Sequence, residues 1–173
     1  LEFGPRDFLV EMVVSMNRGG STPDVPLFDR VETFGQLGSL AMYTSIGHIK
    51  VDLTPNDPDA ASYQELVSQN AVLDDNGLHV VAMRRIHQAA LPKDTIQIRI
   101  DGVHEEMQFD PVDLDLANAD YWFGGDYRGI GPLYGYDLRI AEVIVIASKT
   151  SVPVTDDEAS AIEAYLKAKY ATP

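Results

Sequence analysis

The sequence predicts an all-β fold, two antiparallel sheets packed as a sandwich with a single α-helix at the C-terminal end. Three observations predict it. Residues 95–109, TIQIRIDGVHEEMQF, alternate apolar and polar side chains on both sides of Asp101-Gly102, which is how two half-buried strands joined by a tight turn read. Short Val- and Ile-rich runs separated by glycine, proline and asparagine recur from Phe8 onward, the spacing of a meander. Only one segment, near the end, carries apolar residues at helical spacing together with a start signal.

Phe8–Met16 is a nearly continuous apolar run interrupted by Glu11 and Ser15, short and Val-rich, so it reads as a central strand. Residues 17–26 hold Gly19, Gly20, Pro23 and Asp24 and read as a loop. Strands are expected at Pro26–Val31, Ser39–Thr44 and His48–Leu53, with Gly35, Gly38 and Gly47 between them. Residues 56–75 fit either a short helix or an edge strand. Leu78–Ile86 returns to strand character. In the arms around Asp101-Gly102, Ile96, Ile98 and Ile100 share one face of the first, and Val103, Met107 and Phe109 one face of the second. Asp-Gly favours a type I′ turn, since both central residues need positive φ.

Residues 110–120 are acidic and loop-like, Tyr121–Phe123 can form a short strand, residues 124–136 are glycine-rich and aromatic, and Leu138–Ala147 is again a strand. A helix over 155–170 follows from Thr155 and Glu158, which fit a capping box. Ala159, Ile162, Tyr165, Leu166 and Tyr170 form its expected buried stripe, with Asp156 and Asp157 at its positive end and Lys167 and Lys169 at its negative end.

The 173 residues and 45% hydrophobic content suit one domain over 1–173 with a substantial core. With 13 Lys+Arg against 27 Asp+Glu, the net charge of -14 repels nucleic acid and anionic bilayers. Cysteine is absent, which excludes disulfides, thiolate metal sites and cysteine nucleophiles. No apolar run approaches the roughly 20 residues of a membrane-spanning helix, so no membrane insertion is expected. Because the chain enters a strand almost at once, its first strand or a targeting segment is expected upstream of Leu1.

Taken in order, LHVVAMRR (78–85), TIQIRIDGV (95–103), the glycine-rich aromatic loop, DLRIAEVIVI (137–146) and TDDEASAIEAYLKAKY (155–170) resemble the second half of the concanavalin-A-like, laminin-G-like jelly-roll family. His79, Asp101-Gly102, Glu142 and the pairs Tyr165-Leu166 and Lys169-Tyr170 carry the match. It covers 78–170 well and 1–53 loosely, and 56–75 departs from it as an insertion. The resemblance implies a jelly-roll sandwich. It leaves function open, because such sandwiches host lectins, glycosidases, adhesion modules and structural virion domains.

Candidate chemistry is sparse. Glu105 and Glu106 are adjacent on a strand and so point to opposite faces, unlike the facing carboxylates of a glycosidase, and no catalytic residue is assigned. Asp113 and Asp115 lie in an oxygen-rich segment and are the candidate calcium ligands, though a solvated acidic loop is the simpler reading. No cofactor is required. His48, His79, His87 and His104 are scattered, and packing or backbone hydrogen bonding accounts for His79 more simply than metal ligation. The recognition candidates are Trp122, Asp126, Tyr127, Arg128 and Tyr134, because aromatic faces stack on the C–H patches of sugar rings while Asp and Arg pair with hydroxyls. Burial of Trp122 at the end of the sandwich is the competing reading.

The sequence thus points to a non-catalytic recognition or adhesion module for a glycan or a partner surface, acting outside a cell, at a cell surface or on a virion. The alternative is a structural virion or cell-surface domain that docks on a scaffold or forms a homo-oligomeric array; a polysaccharide hydrolase ranks third.

Overall fold

The computed structural model describes residues 7–17, 25–30, 40–53, 64–69, 73, 75–87, 93–109, 122–124, 137–148 and 154–173. Their strands are β1 (Phe8–Asn17), β2 (Val25–Arg30), β3 (Leu40–Ser45), β4 (His48–Leu53), β5 (Gln64–Val67), β6 (His79–Ile86), β7 (Asp94–Ile100), β8 (Val103–Phe109), β9 (Trp122–Phe123) and β10 (Asp137–Ala147), followed by α1 (Asp156–Tyr170). They form two five-stranded sheets, ordered β10-β1-β6-β7-β8 and β5-β4-β3-β2-β9. Every pairing is antiparallel. The expected two-sheet sandwich with a terminal helix is the observed fold.

Alternation explains how the layers meet. Phe8, Val10, Met12, Val14 and Met16 of β1 enter the space between the sheets, where they join Val81 and Met83 of β6, Ile96, Ile98 and Ile100 of β7, and Leu40, Met42, Ile49, Val51 and Leu53 of the second sheet. The alternate residues Leu9 and Val13 pack on the outer face, Leu9 with Val154 and Ala159, and Val13 with Val80 and Leu166. Each such aliphatic side chain contributes roughly 1.5 to 3 kcal/mol when buried. A one-residue slip of β1 would turn Glu11 into the core and expose five apolar groups, so its register is strongly fixed. A bulge between Val13 and Val14 adjusts the ladder to β10.

The undecided stretch 56–75 contains a short edge strand. Lys50 to Leu53 pair with Val67 to Gln64, Leu66 is buried, and Glu65 and Val67 are exposed, a period of two rather than 3.6. The helix begins as expected: Glu158 N–H donates to Thr155 Oγ1 at 3.2 Å and Thr155 N–H to Glu158 Oε2 at 2.9 Å. Its buried stripe differs from the expected one. Tyr165 is 49% exposed, because it lies about 120° around the helix from Ala159, and Glu163 takes a buried place instead.

At the far end of the interior, Arg85 and Asp94 are fully buried and pair at 2.5 Å. His87 Nδ1 lies 2.7 Å from the second Asp94 oxygen, and the Arg85 guanidinium sits 5.6 Å from the Phe109 ring centre. Removing one partner of such a pair strands a charge. Asp94→Ala should therefore destabilise the domain by about 3 to 5 kcal/mol in urea denaturation, far more than an exposed Asp→Ala change.

Candidate binding surface at one end of the sandwich

The recognition candidates from the sequence fall largely beyond view. Asp126, Tyr127, Arg128, Tyr134 and the calcium candidates Asp113 and Asp115 lie outside the described residues. Trp122 is placed through its backbone, in edge strand β9 opposite Asp29 of β2. Next to it Phe123 is 41% exposed and packs on Phe28, with ring centres 5.5 Å apart. Gly124 N–H then donates to Leu27 O at 3.1 Å, with φ of 68°. A Cβ at Gly124 would come within 3.3 Å of Ile140 and 3.4 Å of Leu138, so only glycine fits without displacing them. The glycine-rich aromatic stretch therefore departs from a fixed point on the sheet edge.

A second surface was not marked by the sequence reading. Thr44 Oγ1 contacts Met16 Sδ at 3.4 Å, which brings the β3–β4 turn to the same end of the sandwich as the last residues of β1. Val14 of β1 stands opposite His79, and His79 Nδ1 bonds Asp101 Oδ2 at 2.6 Å, so the β7–β8 turn lies at this end too. Here Ile46 is 75% exposed, Val103 60% and Val67 39%. Between the edges of the two sheets a groove of about 290 Å³ is lined by Val67, Gln69 and residues 103–107. Gln69 N–H donates to Glu105 Oε2 at 2.7 Å across it, tying one sheet edge to the other. Glu106 points the opposite way and accepts from Gln97 Nε2 at 3.0 Å, as the alternation requires. The groove is close to the small end of ligand pockets, which run from roughly 300 to 1,000 Å³, and suits one sugar ring or one side chain.

The two turns at this end are built differently. Asp101 and Gly102 have φ of 50° and 91°, as the type I′ expectation requires. Ile46 and Gly47 have φ of 50° and 80°. A β-branched residue in the left-handed region is uncommon and costs roughly 1 to 2 kcal/mol. Strained residues held in place by their surroundings cluster at functional sites. The signal missed in the sequence was therefore Ile46-Gly47, a turn with isoleucine where asparagine or aspartate would sit without strain.

His79 fixes the neighbouring loop. Its Nδ1 meets Asp101 and its Nε2 meets Asp75 Oδ1 at 2.9 Å, while Asp101 Oδ1 also accepts from Val80 N–H at 2.9 Å. The hydrogen bond to Asp101 outweighs burial and, with Asp75, pushes the imidazole up to about 9. His79 is packed inside, as one of the two sequence readings has it, but its ring bonds side-chain carboxylates and not backbone groups. The bond between His79 Nε2 and Asp75, together with Gly77 N–H, holds Asp75 below the usual carboxylate range. Among the described residues no cluster of three or more His, Cys, Asp or Glu could hold a metal ion.

Compared with protein-family models and with curated proteins, the chain matches none. Solved structures do resemble it in fold. The binding domain of Paraclostridial Mosquitocidal Protein 1 superposes with a TM-score of 0.63 at 8% identity, over 97% of this chain and 38% of that one. The binding domain of botulinum neurotoxin DC in complex with rat synaptotagmin II gives 0.62 at 12% identity, over 93% and 36%. The same domain in complex with SialylT gives 0.62 at 14% identity, over 93% and 36%. The chain spans little more than a third of the length of these structures, and at these identities the likeness is one of fold.

Two stability measurements check this geometry. The folded pKa of His79 lies above its unfolded value of about 6.5, so its contribution is complete below pH 6.5 and is lost as pH rises through 9. Denaturation midpoints should fall over that interval, and His79→Gln should reduce the slope. Ile46→Asn, which relieves the backbone strain, should raise stability by about 1 kcal/mol at constant pH.

Proposed function

We propose that this chain is a non-catalytic recognition module that binds a glycan or a protein receptor at the rims of its sandwich. The observation that carries this reading is the end presenting the exposed Ile46 and a small groove lined in part by Val67 and Val103. Exposed aliphatic groups and a strained tip cost stability there, whereas nearly all other aliphatics of the described strands are at least partly buried. The glycine-rich stretch beginning at Gly124 supplies the second contact surface, with Trp122, Asp126, Tyr127, Arg128 and Tyr134 as its stacking and hydrogen-bonding groups. The resemblance to laminin-G-like sandwiches is compatible with this reading, since lectins and adhesion modules are among the functions such sandwiches host. So are fold neighbours whose names record complexes with synaptotagmin and with SialylT.

The chain's charge of -14 argues for partners that are not polyanions. An extracellular or surface setting accompanies this function. Calcium at Asp113 and Asp115 is a proposed accessory, which a rise in melting temperature on adding calcium would reveal, since a ligand binding only the native state stabilises it.

Screening on a glycan array and against receptor ectodomains tests the proposal. A specific hit is expected, weakened roughly tenfold or more by Val103→Ser or by Trp122→Ala, the loss typical of a central contact residue. No hit on either panel, or a hit indifferent to both changes, would count against it. Self-association without any added ligand, seen by light scattering, would favour a scaffold-docking role instead.

A further inference from the structure

The layer between α1 and the outer face of the first sheet holds a buried carboxyl that no ion pair among the described residues reaches. Glu11 of β1 is 0% exposed, and among the described residues neither of its carboxyl oxygens has a hydrogen-bond partner. Abreast of it stand apolar groups, Ala82 of β6 and Ile144 of β10. The charged residues around it are already matched. Arg84 of β6 bonds Asp156 of α1. Arg99 of β7 donates to Glu163 Oε2 at 2.9 and 3.2 Å, to Gln97 Oε1 at 3.0 Å and to Ser160 Oγ at 3.1 Å. Farther along, Glu142 of β10 accepts from Lys169 and Tyr170, Lys167 Nζ donates to Asp101 O, and Glu106 of β8 accepts from Gln97.

The seam therefore sets two guanidiniums against the carboxylates of Asp156, Glu163 and Glu11. Arg84 is paired with the largely exposed Asp156 and Arg99 with the buried Glu163, and neither ion pair extends to Glu11. A buried, unpaired carboxylate is far costlier than a buried carboxylic acid. The desolvation, reinforced by Glu163 and opposed by Arg99, pushes the Glu11 carboxyl up to about 8.

We propose that Glu11 is a proton-operated latch for the C-terminal helix: α1 is seated on the sheet while the Glu11 carboxyl is neutral and loosens when that carboxyl ionises. Ionisation places a negative charge beneath Glu163 of the helix and attracts water into a layer otherwise closed by Leu9, Val13, Ala159 and Leu166. The helix, and not the sheet, yields, because β1 is hydrogen-bonded on both edges.

The sign of the pH dependence follows. An ordinary glutamate titrates near 4.5 when unfolded and Glu11 near 8 when folded, so its stabilisation is complete below about pH 4.5 and is lost as pH rises through 8. The His79 contribution is lost only between 6.5 and 9. Burial also raises the Asp7 carboxyl, but Asp7 is common to wild type and Glu11 variants, so the difference between them from pH 5 to 6.5 reports Glu11.

The test compares the whole chain with Glu11→Gln and Glu11→Leu. Melting temperatures of the wild type should decline more steeply from pH 5 to 6.5 than those of both variants. Hydrogen exchange, corrected for intrinsic rates, should show α1 protection in the wild type falling roughly tenfold or more between pH 7 and 9, with little change in the variants. Infrared spectroscopy should detect a protonated carboxyl in the wild type at pH 6.5 that disappears near pH 8. Parallel melting curves, equal loss of α1 protection in all three proteins, or no carboxyl titrating near 8 would each overturn the latch. The infrared measurement needs only the wild type and decides the matter even where a variant folds poorly.

Discussion

Strand β1 is the constraint on which both layers rest. It is hydrogen-bonded along both edges, to β10 and to β6, and both of its faces are covered. Phe8 through Met16 supply one wall of the inter-sheet core, and Leu9 and Val13 supply the bed on which α1 lies. Because side chains change sides at every residue, these two roles cannot be adjusted separately. A shift of one position would spoil the core and the helix seat together, and the turns at the end of the sandwich would lose the reference that Met16 and Val14 give them.

From that base the rim is assembled by a few polar contacts. Asp101 closes the β7–β8 turn, ties down His79 and Val80, and offers its carbonyl to Lys167 of α1. Glu105 bridges to Gln69 on the other sheet. Among the described residues the space between the sheets is filled by buried side chains, so the proposed recognition surface lies where strands end. The strain held at Ile46 and the exposed Val67 and Val103 are departures from a stability optimum, and they concentrate at one end. The carboxyl oxygens of Glu11 and Oε1 of Glu163, buried and without a hydrogen-bond partner among the described residues, lie instead at the seat of the helix. The proposed recognition end and the helix seat are thus different parts of the molecule, joined by the bond from Lys167 to Asp101 O.

Much of the architecture was legible because it is local. The Asp101-Gly102 hairpin shows in period-two alternation plus a turn pair with the right φ preference, and α1 shows in Thr155, Glu158 and the charges at its ends. The short β5 strand was ambiguous because four residues are too few to separate periods of 2 and 3.6. What remained hidden depends on contacts distant in sequence. Glu11 reads as a blemish in a central strand, and its position under α1 follows only once both ends of the chain meet on the first sheet. Likewise Arg85 and Asp94 look like ordinary surface charges until β6 and β7 turn them inward to each other. Of the recognition residues chosen from the sequence, only Trp122 falls among the described ones, on an edge strand beside an exposed phenylalanine.

Residue-resolved native-state hydrogen exchange tests the central role of β1 most directly. Amides exchange through local openings where strands are edges or turns, and through global unfolding where every neighbour must be lost. The amides of β1 from Leu9 to Val13 should be the slowest in the molecule and track global stability under mild denaturant, with edge strands β5 and β8 opening first. Faster exchange in β1 than in those edge strands would contradict a fold hung on that strand.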